Sequence, residues 1–288
     1  MSTDQEQIDQ MLEQAVRDIG IPPRPAVLEQ INAELNREMP EPDRLAKIFS
    51  TDVSLSAGLM KTANSPFFGA RGRARTVQQA LMMLGMDIAC RAATGMILRN
   101  TFPRMAPMER FWDASARIAR ISGWLATKLR LGGGLSQGDA YTFGLFRDCG
   151  IAVMMRKFPD YAATLHRANN NTDRVFTDIE LERHPTNHAV VGCLLARTWW
   201  LPEQSCLAIR HHHDVPAIAA GDIALPRATT LLIGVAQFAE RLVQVQSGLS
   251  HTCEWEKLGP LCLGMLGIDA AMESELAAAV AELDSQQD

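Results

Sequence analysis

Long apolar runs are missing from this 288-residue sequence, although 47% of its residues are hydrophobic. A membrane-spanning helix needs about 18 or more consecutive apolar residues, and no window of the sequence approaches that length without interruption. The first ten residues are polar and acidic, a composition that does not fit a signal peptide. We therefore expect a cytoplasmic protein with no membrane partner and enough apolar side chains to bury a sizeable core.

An excess of positive charge is also missing, since the net charge is -5 and the pI is about 5.8. Proteins that bind nucleic acids normally carry a basic surface, so direct nucleic-acid binding is not expected. One local basic run, Arg71, Arg73 and Arg75, remains open as a functional patch or a solvated loop. The six cysteines contain no C-x-x-C pair. We expect them to be reduced thiols that pack as small apolar side chains.

Alternating strand patterns are the third absence, and the apolar residues recur instead at helical spacing. The clearest stripe lies in a predicted helix over 108–131, and it consists of Phe111, Ile118, Ile121, Leu125 and Leu129. Glycine and proline end most of the predicted helices. The sequence therefore predicts an all-α protein with two helical lobes. We place the boundary at the Pro103–Pro107 punctuation, which gives lobes over residues 1–105 and 106–288.

Histidine and aspartate are concentrated in the second predicted lobe. His188 begins one predicted helix, His211, His212 and His213 end the next, and Asp148 lies between two earlier helices. Imidazole and carboxylate groups are the ligands of many divalent metals, which can generate hydroxide near neutral pH. Successive helical residues point about 100° apart, so at most two of the three adjacent histidines can converge. The alternative is structural, because histidines also suit the negative end of a helix dipole.

The order of several short segments narrows the choice. They read IPPRPAV at 21–27, TDVSL at 51–55, ANS at 63–65, ALMMLG at 80–85, LFRDCG at 145–150, HAVVG at 188–192, WLP at 200–202 and AIRHHH at 208–213. In this order they resemble the HDOD domain family over about residues 21–243. That family is the output-domain relative of HD-type phosphohydrolases and cyclic-di-GMP phosphodiesterases. The resemblance implies a helical domain that acts in bacterial signal transduction.

The same resemblance implies that the metal site of the catalytic relatives is degenerate here. Ala114, Arg147 and Gln237 occupy positions where the relatives place metal ligands. A positive charge within about 4 Å of a divalent ion costs about 8 kcal/mol at an effective dielectric near 20, unless the charge turns away. We expect Arg147 to pair with Asp148 or Glu180 instead. The prediction is a vestigial or ligand-binding pocket with no catalytic residue, no metal and no cofactor, formed by Asp148, Arg147, Glu180, His188, His212 and His213.

The predicted function is therefore non-catalytic regulation of the response-regulator type, through protein contacts or ligand sensing. The expected partners are other signalling proteins, namely a sensor kinase, a receiver-domain protein or a transcription regulator, and a homodimer stays open. A metal-dependent phosphohydrolase or cyclic-di-GMP phosphodiesterase is the alternative. Trp199 and Trp200 are predicted to anchor the two lobes to each other, and Asn64 with Ser65 is predicted to end a helix.

Overall fold

The computed structural model describes residues 18–68, 73–102, 106–247 and 252–286, and these residues form helices and connecting loops without a strand. The helices are α1 (Ala26–Leu35), α2 (Pro42–Ser50), α3 (Val53–Ala63), α4 (Val77–Thr101), α5 (Ala106–Leu129), α6 (Gln137–Phe146), α7 (Cys149–Lys157), α8 (Tyr161–Asn169), α9 (Phe176–Leu181), α10 (His188–Thr198), α11 (Glu203–His211), α12 (Val215–Ala220), α13 (Arg227–Ser247), α14 (Glu254–Leu266) and α15 (Ala270–Ser285). A short 3-10 turn, Pro66–Phe68, follows α3. The predicted all-α class is confirmed.

Polar residues cap the N-termini of several helices. The side chains of Asp52, Thr76, Ser136, Asn187 and Asp269 each accept a hydrogen bond from a backbone N–H in the first turn of the following helix. Such caps satisfy N–H groups that have no partner within the helix. The cap at position 187 matters most for the site, because it fixes the start of α10.

Helix α4 is the longest apolar element among the described residues. Its length and composition would allow it to cross a membrane. However, 56% of its most apolar window is buried inside the fold, and the backbone leaves helical geometry at Gly85, where φ is 75°. The predicted stop at this glycine is therefore confirmed as a kink. We interpret α4 as a core helix, since it packs against α2, α3 and α6.

The sequence pattern did not indicate three of the helices, α8, α12 and α14. In α14 the pair Gly259-Pro260 suggests a break, yet the helix continues through Pro260. Helix α12 has only six residues, which is too short for an apolar stripe to be recognised. Tertiary packing therefore decides these segments more than local sequence preference does.

The two predicted lobes share one continuous hydrophobic core in the described part of the chain. Trp199 is buried and its indole N–H donates to the carbonyl of Pro22, so it joins distant parts of the chain as predicted. Trp200 is 68% exposed, yet it also contacts a distant part of the chain, because the guanidinium of Arg24 lies 3.3 Å from the centroid of its ring. The predicted boundary near residue 105 lies outside the described residues. The division into lobes stays a prediction.

The cysteines pack as the sequence predicts. All six thiols are free and only Cys253 is partly exposed. Burial raises the pKa of the Cys90, Cys206 and Cys262 thiols to about 12. A thiol with so high a pKa is protonated at neutral pH and is therefore a poor nucleophile.

Candidate functional site

Four side chains bring their metal-binding atoms to one buried point. Asp148, His188, His212 and His213 each offer one ligand atom, and these atoms all lie within 4.8 Å of one another. His211 points elsewhere, and its Nδ1 atom lies 2.8 Å from Oδ2 of Asp214. Two of the three adjacent histidines therefore converge, as the helical geometry predicts.

The crossing of α7 and α10 places Asp148 beside His188. The two helices touch backbone to backbone at Gly150 and Gly192. A Cβ atom added to Gly150 would lie 2.0 Å from the carbonyl oxygen of His188 and 2.7 Å from the amide nitrogen of Gly192. Only glycine permits this approach at position 150. The site geometry thus depends on a residue that carries no side chain.

Each histidine of the cluster is oriented by an oxygen atom behind it. The Nδ1 atom of His188 lies 2.8 Å from Glu180, that of His213 lies 2.7 Å from Glu254, and that of His212 lies 2.8 Å from the carbonyl of Ile209. These oxygens accept hydrogen bonds, so each Nδ1 carries a proton and donates it. In the neutral rings the Nε2 lone pairs then point inward. Histidines that bind metals are held in the same way.

The inward nitrogens lie too close together to be stable as three unprotonated rings. The Nε2 atom of His188 is 3.3 Å from that of His212 and 3.1 Å from that of His213. Oδ1 of Asp148 lies 3.3 Å from Nε2 of His212. Facing lone pairs repel unless a proton or a cation lies between them. The cluster therefore requires positive charge at its centre.

The pKa values of two imidazoles are driven in opposite directions. Burial alone would lower the pKa of His188, but the charges of Glu180 and Asp148 outweigh it and raise that pKa. Burial, with the neighbouring His213, lowers the pKa of His212 to about 3. In the absence of a metal, the raised pKa favours a proton on His188 as the positive charge of the cluster. A metal ion would replace that proton.

Asp148 has a second neighbour on its other side. Its Oδ1 atom faces the histidines, while its Oδ2 atom accepts a hydrogen bond of 3.0 Å from Nε of Arg147. The buried Arg147 side chain also pairs with Glu240 at 2.6 Å. Burial would raise the pKa of Asp148, but the guanidinium of Arg147 and the neighbouring imidazoles of His212 and His188 hold it well below its usual value. The predicted pairing of Arg147 with Asp148 is confirmed, whereas the predicted alternative, Glu180, contacts His188 and Tyr161 instead.

Arg147 is one of the three positions that the family resemblance marks as lost metal ligands. The other two contact Arg147 or line the cavity beside it. Gln237 contacts both Arg147 and Glu240, and Ala114 lines the same cavity as Arg147. The donors that remain face the other side of Asp148. Three imidazoles and one carboxylate suit a zinc, iron or nickel ion. The donor set therefore fits one divalent ion, which the count of lost ligands did not predict.

The charges around the cluster support this fit. Three buried carboxylates, Glu180, Glu240 and Glu254, and the partly exposed Asp148 are opposed by two cations, Arg147 and Lys257. With all four carboxylates ionised and the histidines neutral, four negative charges against two positive ones leave -2, although burial raises the pKa of Glu240. A buried net charge is costly unless it is compensated. One divalent cation would compensate it.

A cavity of about 530 Å³ opens next to the cluster. Asp148 and His213 form part of its wall, together with Arg147, Glu240 and Phe176. Phe176 stacks on the ring of His213 with a centroid distance of 4.8 Å and touches His188 edge-on. This volume is typical of small-molecule sites.

Acid is expected to weaken the protein through His212. The unfolded chain protonates this histidine below pH 6.5, whereas the folded chain keeps it neutral until about pH 3. The unfolded state thus binds more protons in this window, and stability falls as the pH falls. Between pH 6 and pH 4.5 we expect a loss of about 2 kcal/mol in urea unfolding with EDTA. The raised pKa of His188 acts in the opposite direction, because its contribution to stability is largest at low pH and is lost as the pH rises. An equal slope in His212→Gln would contradict this prediction.

Sequence reasoning missed four residues of the site. Glu240 lies three residues after Gln237 on α13 and therefore on the same helix face, which could have identified it. Glu254, Tyr161 and Phe176 carry no comparable signal. They belong to helices whose positions the pattern did not predict or predicted with other bounds.

Comparison with known proteins agrees with this architecture. A family model described as the HDOD domain matches residues 21–215. A curated relative, an uncharacterized protein of Treponema pallidum (strain Nichols), is 25% identical over 207 residues. That match covers 68% of this chain and 38% of the relative, so the chain spans well under half the length of the relative.

Solved structures share the fold over nearly the whole chain. A candidate phosphohydrolase of Shewanella amazonensis SB2B is 21% identical with a TM-score of 0.68, covering 96% of this chain and 95% of its own. An HDOD domain protein of unknown function from Geobacter sulfurreducens is 23% identical with a TM-score of 0.64, covering 96% and 99%. A candidate signal transduction protein of Marinobacter aquaeolei VT8 is 20% identical with a TM-score of 0.61, covering 99% and 66%. At these identities the likeness establishes the fold alone.

Proposed function

Because the chain belongs to the HDOD domain family, we propose that it is a regulatory module of signal transduction that binds a ligand or a partner without hydrolysing it. The module is of the response-regulator type. Its expected partners are a sensor kinase, a receiver-domain protein or a transcription regulator, and its expected location is the cytoplasm. The similarity in fold to a candidate signal transduction protein is consistent with this role.

One observation carries the non-catalytic part of the proposal, and it is the placement of Arg147. Hydrolysis by a metal pair needs two cations about 3.5–4 Å apart that share ligands. On this chain the carboxylate of Asp148 is shared between the imidazoles and a guanidinium. A guanidinium supplies positive charge, but it has no coordination position that could hold and activate a water molecule. The second cation is therefore replaced by a side chain.

The first cation position remains usable. His188, His212, His213 and Asp148 would hold one divalent ion there. When bound, that ion would supply a positive centre that attracts an anionic group of a ligand in the cavity. Glu180 and Glu254 keep two of the imidazoles oriented, and Phe176 covers both of those rings. This combination supports ligand sensing with a fixed metal better than it supports turnover.

The test of the proposal is an activity assay on protein that was purified without chelator. We expect no hydrolysis of cyclic-di-GMP or bis-(p-nitrophenyl) phosphate above the buffer rate with added Mn²⁺, Fe²⁺ or Zn²⁺. In the same preparation we expect about one metal equivalent per chain in wild type and little in His188→Ala, which loses one imidazole ligand. Turnover in wild type that is lost in His188→Ala would contradict the proposal.

A metal-dependent phosphohydrolase is the second candidate, and the four converging donors are the observation that favours it. A single ion can in principle activate water. This candidate needs a coordination position that stays open beside Arg147. The assay above distinguishes the two functions, because they agree on metal content and differ on turnover.

A further inference from the structure

A second large cavity lies away from the histidine cluster. It has a volume of about 1450 Å³ and runs between α3 and α4 on one side and α5, α6 and α15 on the other. We call it the arginine groove after the cations in its wall, which are Lys61, Arg73, Arg75, Arg99, Arg117 and Arg120. The acidic residues in that wall are Asp113 and Asp284.

The groove is positively charged on a chain that is negative overall. Six cations minus two carboxylates leave +4 in the wall, against -5 for the whole sequence. Asp113 pairs with Arg99 at 2.8 Å and Asp284 pairs with Arg117 at 2.9 Å. Both acids are thus already paired. The other four cations make no ion pair with any described residue.

Arg120 is the most informative of the four, because it lies deep in the groove wall. Its Nε atom is buried and has no hydrogen-bond partner among the described residues. Burial lowers the pKa of its guanidinium, whereas the charges of Tyr141, Asp284 and Asp113 act in the opposite direction. A guanidinium charge that is removed from water is costly unless it is compensated. An anion in the groove would compensate it.

The rim of the groove is held in place by an amide clamp. The side chain of Asn64 donates to the carbonyl of Ala74 at 3.1 Å and accepts from its amide at 2.7 Å. Asn64 also caps the end of α3, so the predicted helix-ending role is confirmed and extended. The clamp fixes Ala74, and the exposed Arg73 and Arg75 on either side of it line the groove. Two members of the basic run in the sequence are thus directed to one cavity.

We propose that the arginine groove binds a small ligand that carries several phosphate groups. A single phosphate would engage few of the cations, whereas a chain of phosphates can reach rim and floor together. A single-stranded nucleic acid fits less well, since such sites stack bases on aromatic rings. The aromatic residues of the wall, Trp112 and Tyr141, are each only 5% exposed. This site does not depend on the function proposed for the histidine cluster.

The test is calorimetric titration of the full chain with orthophosphate, pyrophosphate and inorganic triphosphate at 150 mM salt. We expect affinity to rise with the number of phosphates. Arg120→Gln should weaken triphosphate binding by about 10-fold to 100-fold, since it removes a charged hydrogen-bond donor. The double change Arg73→Gln with Arg75→Gln should weaken it similarly, and it alters only exposed side chains.

The matched control is Arg183→Gln, because Arg183 is exposed on another part of the surface and has no ion pair among the described residues. It should leave the affinity for triphosphate unchanged within about 2-fold, because it does not line the groove. Absence of triphosphate binding, or equal affinity in wild type, Arg120→Gln and the Arg73/Arg75 double variant, would overturn the proposal. Binding of a single-stranded oligonucleotide more tightly than triphosphate would also overturn it.

Discussion

Replacing Asp148 with alanine is expected to weaken the binding of a divalent ion and to destabilise the protein by about 3–5 kcal/mol. The carboxylate has two oxygens with different tasks, one toward the imidazoles and one toward Arg147. Its loss leaves a buried guanidinium with a single carboxylate, Glu240. It also removes the one anionic ligand of the cluster. Removal of residues that only support ligands weakens metal binding 10–100-fold, so we expect on the order of 100-fold or more here.

Urea unfolding with and without EDTA separates the two effects of Asp148→Ala. The loss of stability that arises from the unpaired Arg147 persists in EDTA, whereas the loss of stability that arises from weaker ion binding disappears. Asp113→Ala is the matched control, because Asp113 pairs with Arg99 at 2.8 Å but its side chain is 67% exposed. An exposed pair contributes at most about 1 kcal/mol. Similar losses in the two variants would mean that the Asp148–Arg147 pair has no special role.

Replacing Gly150 with alanine is expected to destabilise the protein by about 3 kcal/mol and to abolish metal binding. The added Cβ would meet the backbone of His188 and Gly192. Backbone atoms in two packed helices cannot move aside as a flexible side chain can, so α7 and α10 must separate. His188 begins α10, and its displacement would break the convergence of donors.

Gly264→Ala is the control for this prediction. Gly264 lies in α14 and has nothing within 4 Å of its would-be Cβ atom. Alanine favours a helix over glycine by up to about 1 kcal/mol, so this variant should be as stable as wild type or slightly more so. Thermal unfolding and metal content would be measured side by side. If Gly150→Ala retains wild-type metal content, the close helix crossing does not set the site.

Much of the site could be read from the sequence because its residues occupy short, ordered motifs. The helical spacing around His211, His212 and His213 correctly limits the number that can converge. The all-α class follows from the apolar periodicity of helices such as α5, which the sequence places at 108–131 and the structure at Ala106–Leu129. These features are local, and local patterns determine them.

The pairing of Arg147 with Glu240 could not be read from the sequence. A count of lost ligands does not show which metal position each ligand serves. Every lost ligand therefore appears to weaken metal binding at every position. In the fold the carboxylate of Asp148 divides the site, and Arg147 turns toward Glu240 on α13. That pairing joins residues that are 93 positions apart in the chain. Long-range contacts of this kind depend on the packing of α13 and are not visible in local patterns.

The most direct test of the divided site is anomalous X-ray diffraction from crystals of protein that was purified without chelator. We expect one anomalous peak, bonded to Asp148, His188, His212 and His213, and no peak between Arg147 and Glu240. A second ion on the side of Arg147 would contradict the claim that the guanidinium replaces a cation. No ion at the imidazoles would contradict the claim that the remaining donors suffice to hold one.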